Sequence, residues 1–190
     1  GGQTPPPESA ATATADAAAA GDAIAAPIDV PMTLEVASAA FEDGGRIPDA
    51  HVFSGFGCNG GNASPPLTWS NAPEGTRSFA LVVHDPDAPT GVGFFHWVAL
   101  DIPADVVSLP AGWSAAAPEG VVQGHTDFGA TGYGGPCPPP GPARRYHFTV
   151  YALDVPTLGL GEGATGALAR FSIAQHALAK GRLTGTYARD

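Results

Sequence analysis

The segment RSFALVVHDPDAPTGVGFFHWVALDIP, residues 77–103, carries the pattern that decides the fold. On both sides of its centre, apolar or aromatic side chains recur at every second position, which is typical of strands with one buried face. The alternating positions are Phe79, Leu81 and Val83, then His96, Val98 and Leu100. The stretch DPDAPTGVG between them is rich in Pro and Gly, which interrupt strands and form turns. The segment therefore predicts two strands joined by an ordered loop.

The same alternation appears near both ends of the chain, at Met32, Leu34 and Val36 and again at Tyr146, Phe148, Val150 and Ala152. Only one segment, 165–180, has helical spacing. Its apolar face is predicted to consist of Leu168, Phe171 and Leu178. Gly181 is predicted to end this helix. Many strands, one helix and Pro-rich loops predict a mainly β protein, an antiparallel sandwich or barrel with one or two short peripheral helices.

The length and net charge of the chain make some classes of function improbable. The chain has 190 residues, a length that suits one domain, and 8 Lys and Arg against 18 Asp and Glu, a net charge of −10. Such an acidic chain is a poor candidate for binding nucleic acid or anionic membranes through its overall field, although a local cationic pocket is compatible with it. No apolar run reaches the roughly 18 residues of a membrane span.

The first 30 residues differ from the rest, because they contain 11 Ala and four acidic residues but no basic or aromatic residue. Such a segment cannot build a core, so we predict a flexible leader over 1–30 and one folded domain over 31–190. Spacers of this composition are common in exported and lipid-anchored bacterial proteins. We therefore expect a periplasmic or extracellular location, with a lipid anchor upstream of Gly1 as one form of it and a cytoplasmic location as the alternative.

Two segments match a dinucleotide-binding motif, but neither is flanked by the strand and helix that the motif requires. The pattern G-x-G-x-x-G occurs at 55–60 and at 161–166. The first runs into Ser-Pro-Pro and the second lies too near the end of the chain for a partner strand to follow, so both are interpreted as turn glycines. No pair of His or Cys has zinc spacing. We therefore predict no cofactor and no metal.

The two cysteines, Cys58 and Cys137, lie 79 residues apart. In an exported protein they are candidates for a disulfide that closes a long loop. In a reducing compartment they would be two half-buried thiols, and both alternatives stay open here.

Polar side chains adjoin the predicted strands at three loops, and the candidates are Asp85, His96, Arg144, Arg145 and Tyr146. A carboxylate, an imidazole, a guanidinium and a phenol together suit a ligand with an anionic part and an amine or hydroxyl part. Each residue also has an ordinary structural interpretation: a turn-forming aspartate, a core histidine, a solvated arginine pair and a packed tyrosine.

Several ordered motifs carry a family resemblance. The stretches SPPLTWSNAPEGTRSFALVVHDPDAPTG, FFHWVALDIP and GYGGPCPPPGPARRYHFTVYALD together resemble the phosphatidylethanolamine-binding protein family, in its bacterial Raf-kinase-inhibitor-like branch. The resemblance covers about residues 32–188. It implies a β-sandwich with a Greek-key element, short peripheral helices and a small anion pocket at one end.

The resemblance also implies the site residues. The ligand-binding set is expected to be Asp85, His96, Pro138, Pro139 and Tyr146, and the residues that organise the loop are expected to be Asp87 and Pro89. Arg144 stands where the family has a second pocket histidine. If it points inward, the pocket gains a charge that persists at every pH, and if it points outward, His96 is left alone. The pair Phe94-Phe95 replaces the tryptophan that is common in bacterial relatives.

These residues support a leading hypothesis and two alternatives. The leading one is a non-catalytic module that binds a small anion, phosphate or a phosphorylated head group, and modulates a partner such as a kinase or protease. The first alternative is an isomerase or cyclase that uses Asp, His and Tyr as acid and base. The second is a surface-recognition protein whose pocket is vestigial.

Overall fold

The computed structural model describes residues 28–190. Its strands are β1 (Glu35–Ala37), β2 (Ser54–Gly55), β3 (Cys58–Asn59), β4 (Leu67–Ser70), β5 (Ser78–Asp85), β6 (Phe94–Pro103), β7 (Ser108–Leu109), β8 (Val122–Gln123), β9 (Arg144–Leu153) and β10 (Ala177–Tyr187). In this part of the chain there is one α-helix, α1 (Gly166–His176), and there are two short 3-10 helices, Asp49–His51 and Trp113–Ala116. The leader predicted over 1–30 lies outside the described residues, apart from its last three positions.

A five-stranded sheet in the order β10-β9-β5-β6-β8 forms the centre of the molecule, and its neighbouring strands are all antiparallel. The chain crosses this sheet from β5 through β6 to β8, and β9 then returns to pair with β5, which is the order of a Greek key. A second antiparallel sheet, β1-β4-β7, shares a core with the first, and β2 and β3 form a hairpin. The predicted sandwich with a Greek-key element is confirmed.

The main core lies between the two sheets, where Leu67 and Trp69 of β4 meet the inner face of the large sheet. The predicted alternation in β5 and β9 is confirmed, because all of its positions belong to this core: Phe79, Leu81, Val83, Tyr146, Phe148, Val150 and Ala152. Near the N-terminus the predicted strand is too long. It begins at Glu35, so that Leu34 is buried ahead of it while Met32 is exposed.

The helix α1 covers the outer face of the large sheet, but not with the side that was predicted. Ala169 and Ile173 are buried against the sheet, whereas the side chains of Leu168 and Phe171 are 46% and 66% exposed. The predicted face is wrong because the helix lies close to the sheet through small residues. A Cβ atom at Gly166 would lie 2.4 Å from an aromatic ring of β6, so a bulky side chain does not fit on this side.

The helix also ends earlier than predicted, at His176, and β10 begins at the next residue. Leu178 and Gly181 therefore lie in a strand that pairs with β9 along nearly its whole length. Gly181 does not stop a helix. It allows the chain to approach Leu34, whose carbonyl oxygen would lie 2.3 Å from a Cβ atom at position 181. Within residues 28–190, no helix has both the length and the apolar character that crossing a bilayer requires.

An extra residue in β6 changes which way His96 faces. Its neighbours Phe95 and Trp97 pair with consecutive residues of β5, so His96 is left over as a β-bulge. Val98 and Leu100 pack on the outer face beneath α1, whereas His96 faces the inner side, toward the core tyrosine of β9. The prediction that these three share one face is wrong, because the bulge shifts the alternation by one residue.

Candidate ligand-binding site

A pocket of about 440 Å³ opens at the edge of the large sheet where β5 ends and where β6 and β9 begin. In the antiparallel sheet β5 lies between these two strands, so the last residues of β5 meet the first residues of both neighbours. Every residue predicted to bind the ligand lines this pocket, namely Asp85, His96, Pro138, Pro139, Arg144 and Tyr146. Pro89 lines it as well, and Asp87 does not.

Asp85, the last residue of β5, has two different partners for its two carboxylate oxygens. Its Oδ1 accepts hydrogen bonds from the backbone N–H groups of Asp87 (2.7 Å) and Ala88 (3.2 Å), so it fixes the Pro-rich turn. Its Oδ2 faces the guanidinium of Arg144 at 3.4 Å. Burial raises the pKa of this carboxyl. Asp85 therefore both forms the turn and lines the pocket, so its two interpretations are both correct.

The first two residues of β9 point in opposite directions, as alternation along a strand requires. Arg144 turns into the pocket, and Arg145 forms an ion pair with Asp87 on the other side, with Nη2 to Oδ1 at 2.8 Å and Nε to Oδ2 at 3.1 Å. The backbone N–H of Arg145 also donates to Asp87, at 2.9 Å. Asp87 therefore holds the 85–89 loop against β9, and the hydrogen bond from Arg145 lowers the pKa of its carboxyl.

His96 is buried at the base of the pocket, and its hydrogen bond fixes the tautomer. Nδ1 lies 2.7 Å from the carbonyl oxygen of Gly134, and because a carbonyl only accepts, Nδ1 carries the proton. Burial lowers the pKa of His96 to about 4, so the ring is neutral at neutral pH. Nε2 is then left as a hydrogen-bond acceptor.

Tyr146 stands edge-on to this imidazole, with ring centroids 5.1 Å apart. Its pKa is raised, first by burial and then by the charge of Asp85, so its hydroxyl keeps its proton. Within one pocket the protein thus presents a permanent cation, a phenolic donor, a neutral imidazole acceptor and a buried carboxylate. Its polar side chains therefore include both donors and acceptors.

Aromatic side chains that the sequence did not identify form the mouth of the pocket. Of the pair Phe94-Phe95, only Phe94 lines the mouth, because Phe95 belongs to the core beneath α1. Phe128 packs edge-on against Phe94 with centroids 4.8 Å apart, and Phe56 adds a ring that is 77% exposed. Asp127 also lines the mouth. The only signal in the sequence was a phenylalanine between two glycines, Gly55 and Gly57, just before a cysteine.

The disulfide predicted between Cys58 and Cys137 is present. It connects the β2–β3 hairpin, which carries Phe56 at its tip, to the Pro138-Pro139 wall of the pocket. Both sides of the mouth are therefore covalently joined. No cluster of three or more His, Cys, Asp or Glu side chains suited to a metal occurs among residues 28–190.

Comparison with known proteins decides the family. The family model described as phosphatidylethanolamine-binding protein matches residues 37–188, which is most of the chain. The chain belongs to the phosphatidylethanolamine-binding protein family. The pocket of this family member therefore lies within the matched region, since its lining residues run from Phe56 to Tyr146.

The relatives of this chain match it over more than four fifths of its length. UPF0098 protein YbhB of Escherichia coli is 45% identical over 157 residues, which are 81% of this chain and 99% of that protein. LppC of Mycobacterium tuberculosis, which is provisionally named as a lipoprotein, is 42% identical to this chain. The match covers 85% of this chain and 75% of LppC. The crystal structure of Escherichia coli YbcL superposes with a TM-score of 0.80 at 43% identity, covering 83% of this chain and 99% of that one.

Proposed function

We propose that this protein is a non-catalytic binding module for a small phosphorylated ligand that carries a proton donor beside its negative charge. One observation carries the proposal: the guanidinium of Arg144 shares the pocket with a neutral His96 whose Nε2 can only accept. A cation suits the anionic oxygens of the ligand, and an acceptor suits a hydroxyl or ammonium group on the same ligand.

The anionic part of the ligand would meet two donors. Only one guanidinium nitrogen of Arg144 faces Asp85, and at 3.4 Å this contact is long, so other N–H groups remain for phosphate oxygens. The hydroxyl of Tyr146 stays protonated and lines the same space. Because arginine keeps its charge at every physiological pH, binding through Arg144 does not require acid conditions.

The proton-bearing part of the ligand would meet two acceptors. Nε2 of His96 accepts one hydrogen bond, and Oδ2 of Asp85 has room for another donor beside its long contact with Arg144. A phosphate monoanion offers P–OH, and phosphoethanolamine also offers an ammonium group. The pocket volume of about 440 Å³ falls in the range of small-molecule sites. The aromatic mouth leaves space for an apolar substituent.

The same groups argue against the isomerase or cyclase alternative. A general base works best with a pKa near the operating pH, and that of His96 is lowered to about 4. The pKa of Tyr146 is raised, which makes it a weak acid catalyst. Modulation of a partner kinase or protease belongs to the proposal as a consequence of ligand binding, and pull-downs with and without phosphoethanolamine would measure it.

Calorimetric titration with three probes tests the binding proposal. Phosphoethanolamine and inorganic phosphate near pH 6 should bind saturably, and sulfate should bind at least about tenfold more weakly, because it has the shape of phosphate but carries no proton. Arg144→Gln and His96→Gln should each weaken phosphate binding by about tenfold or more. The matched control is Arg77→Gln, which removes an exposed arginine just before β5. Equal affinity for sulfate and phosphate, or no saturable heat at millimolar probe, would refute the proposal.

We further propose that the protein works outside the cytoplasm, attached to lipid. The disulfide supports this location, because such bonds persist in oxidising compartments, and so does the name of the relative LppC. Fractionation of the native host with an antibody to this protein tests the idea. Recovery in the envelope with an oxidised Cys58–Cys137 pair is expected, whereas recovery in the cytoplasm with free thiols would overturn it.

A further inference from the structure

A second group of basic side chains lies on the outer face of the large sheet, away from the pocket. Lys180 and Arg182 are two residues apart in β10, so they point to the same face, and Arg170 of α1 reaches the same depression. Two neutral donor side chains on β9 stand opposite them in register, Tyr151 beside Lys180 and Thr149 beside Arg182. We call these five residues the outer basic cluster.

The three charges of the outer basic cluster lie together without an ion-pair partner in the described part of the chain. Within residues 28–190, no carboxylate oxygen lies within 4.0 Å of a side-chain nitrogen of Arg170, Lys180 or Arg182. Arg77 and Arg189 also lack such a partner among the described residues, but neither of them lines this depression. A chain with a net charge of −10 thus gathers three of its eight Lys and Arg residues in one depression, where the charge of Asp29 acts on Lys180 without forming an ion pair with it.

The environment makes this concentration of charge unfavourable in the free protein. The pKa of Lys180 is lowered, first by burial and then by the neighbouring charge of Arg182. Lys180 is only 6% exposed, and its ammonium donates one hydrogen bond to the carbonyl of Ile28. An ammonium has three donors, so two remain. Like charges that lie close together and form no ion pair create a positive potential that a bound anion relieves.

The two histidines that line the depression do not add to its charge. Burial lowers the pKa of His147 to about 4, and its Nδ1 lies 2.9 Å from the hydroxyl of Thr184. Burial also lowers the pKa of His84, whose Nε2 lies 2.8 Å from the carbonyl of Val92. The cationic character therefore comes from the lysine and the two arginines alone.

The shape of the depression limits what it can hold. Its volume of about 30 Å³ is that of roughly one water molecule. One oxygen of a tetrahedral oxyanion would fill this space, which would leave the others above the sheet beside the exposed Arg182. A carboxylate or a halide would use fewer of the available donors than a group with three terminal oxygens.

We infer that the outer basic cluster is a second binding site, for a compact oxyanion with two or more negative charges such as a phosphate or pyrophosphate group. Lys180, Arg170 and Arg182 neutralise the charge, and the hydroxyl of Tyr151, which accepts hydrogen bonds from Arg170 and Thr149, donates to a remaining oxygen. The site shares no residue with the pocket lined by Asp85, so it does not depend on the function proposed for that pocket.

An NMR titration of the full chain with inorganic pyrophosphate tests this inference. Saturable shifts are expected at the backbone amides of Thr149, Tyr151 and Arg182, on the outer face. Arg182→Gln and Arg170→Gln should each raise the dissociation constant at these amides by about tenfold, since each removes one charge-assisted contact. Added NaCl should weaken binding, because most of the attraction is electrostatic.

Two control variants keep the result specific. Arg77→Gln removes an equal charge elsewhere on the surface and should leave these shifts unchanged. Arg144→Gln should also leave them unchanged while altering any binding in the pocket, so that the two sites are distinguished. The inference is overturned if the outer-face shifts fail to saturate, or if Arg182→Gln, folded by its amide spectrum, binds pyrophosphate as the wild type does.

Discussion

Arg144 determines how the charge of the pocket responds to pH. Because the guanidinium stays protonated, wild-type affinity for sulfate, an anion that does not titrate near neutral pH, should be nearly constant from pH 5 to pH 8. In Arg144→His the cation is lost as the imidazole deprotonates. Sulfate binding by this variant should therefore fall about tenfold or more over the same interval, as measured by calorimetry. Arg77→His serves as the control, and a flat profile for Arg144→His would contradict the inward placement of this side chain.

His96 makes stability depend on pH with a definite sign. Its pKa falls from 6.5 when unfolded to about 4 when folded, so the unfolded chain binds the proton more readily. Its stabilising contribution is complete above the unfolded pKa and is lost as pH falls toward the folded pKa. The loss should reach on the order of 3 kcal/mol between pH 6.5 and 4. His147, whose folded pKa is also about 4, acts in the same direction, and buried Asp85, with its raised pKa, acts in the opposite one.

Urea unfolding at several pH values checks this prediction. The free energy of unfolding of the wild type should fall on acidification more steeply than that of His96→Gln, in which one titrating ring is removed. The imidazole resonances of the folded wild type give an independent measurement that does not depend on the variant. Titration of His96 near pH 6.5 in the folded protein would contradict the prediction.

The site residues also show which side-chain orientations can be predicted from alternation along a strand. Alternation in β9 correctly places Tyr146 on the inner face, and it puts Arg144 on the same side, toward the pocket. It fails at His96, because a bulge adds one residue to β6 and nothing local in the sequence marks the insertion. The pairing of β5 with β6 produces the bulge, so alternation alone could not show that His96 faces the pocket, and only the family resemblance predicted it.

Among the elements, α1 shows the clearest difference between the apolar face predicted from spacing and the face that is buried against the sheet. Ile173→Ala should destabilise the protein by about 2–4 kcal/mol, because it leaves a cavity between the helix and the sheet. Phe171→Ala, on the exposed side, should change stability by roughly 0.5 kcal/mol or less. Chemical denaturation of both variants measures the difference. If Phe171→Ala were the more damaging of the two, the orientation of α1 would be wrong.

The helix boundary shows why local spacing is insufficient at the level of elements. Apolar residues at 168, 171 and 178 fit a helical period, yet Leu178 lies in β10. The chain leaves the helix after His176 because β9 offers a long edge with which β10 can pair. Backbone hydrogen bonds to a distant strand therefore override a local preference, and no window of the sequence contains both partners.

At the scale of the whole molecule, the pocket is a product of topology. Its walls come from the 85–89 loop, the start of β6, the proline segment that follows Cys137 and the start of β9. The family resemblance predicted most of these residues, because the motifs that carry it surround the site. It gave no role to Phe56 or Phe128, which lie in turns. Such loops reach the pocket only when the complete fold brings them there.

The Cys58–Cys137 disulfide joins two of these distant segments covalently. Its loss should therefore lower the stability of the whole protein. It closes a loop with a sequence separation of 79 residues, for which chain entropy predicts a stabilisation of about 4 kcal/mol. The double variant Cys58→Ala with Cys137→Ala should therefore melt roughly 10 °C below the wild type. Wild type treated with reductant should melt at nearly the same lower temperature, since it loses the same cross-link.

Calorimetry of the oxidised, reduced and doubly substituted proteins measures this effect, and the reduced wild type serves as the control for the alanine side chains. Because the same bond holds the hairpin of Phe56 against the proline wall, the double variant should also bind phosphoethanolamine more weakly at a temperature where it is fully folded. An unchanged melting temperature would show that the unfolded chain gains little freedom when the loop is opened. Unchanged binding would show that the mouth of the pocket keeps its shape through aromatic stacking alone, in particular that of Phe53 on Phe128, whose ring centroids lie 4.1 Å apart.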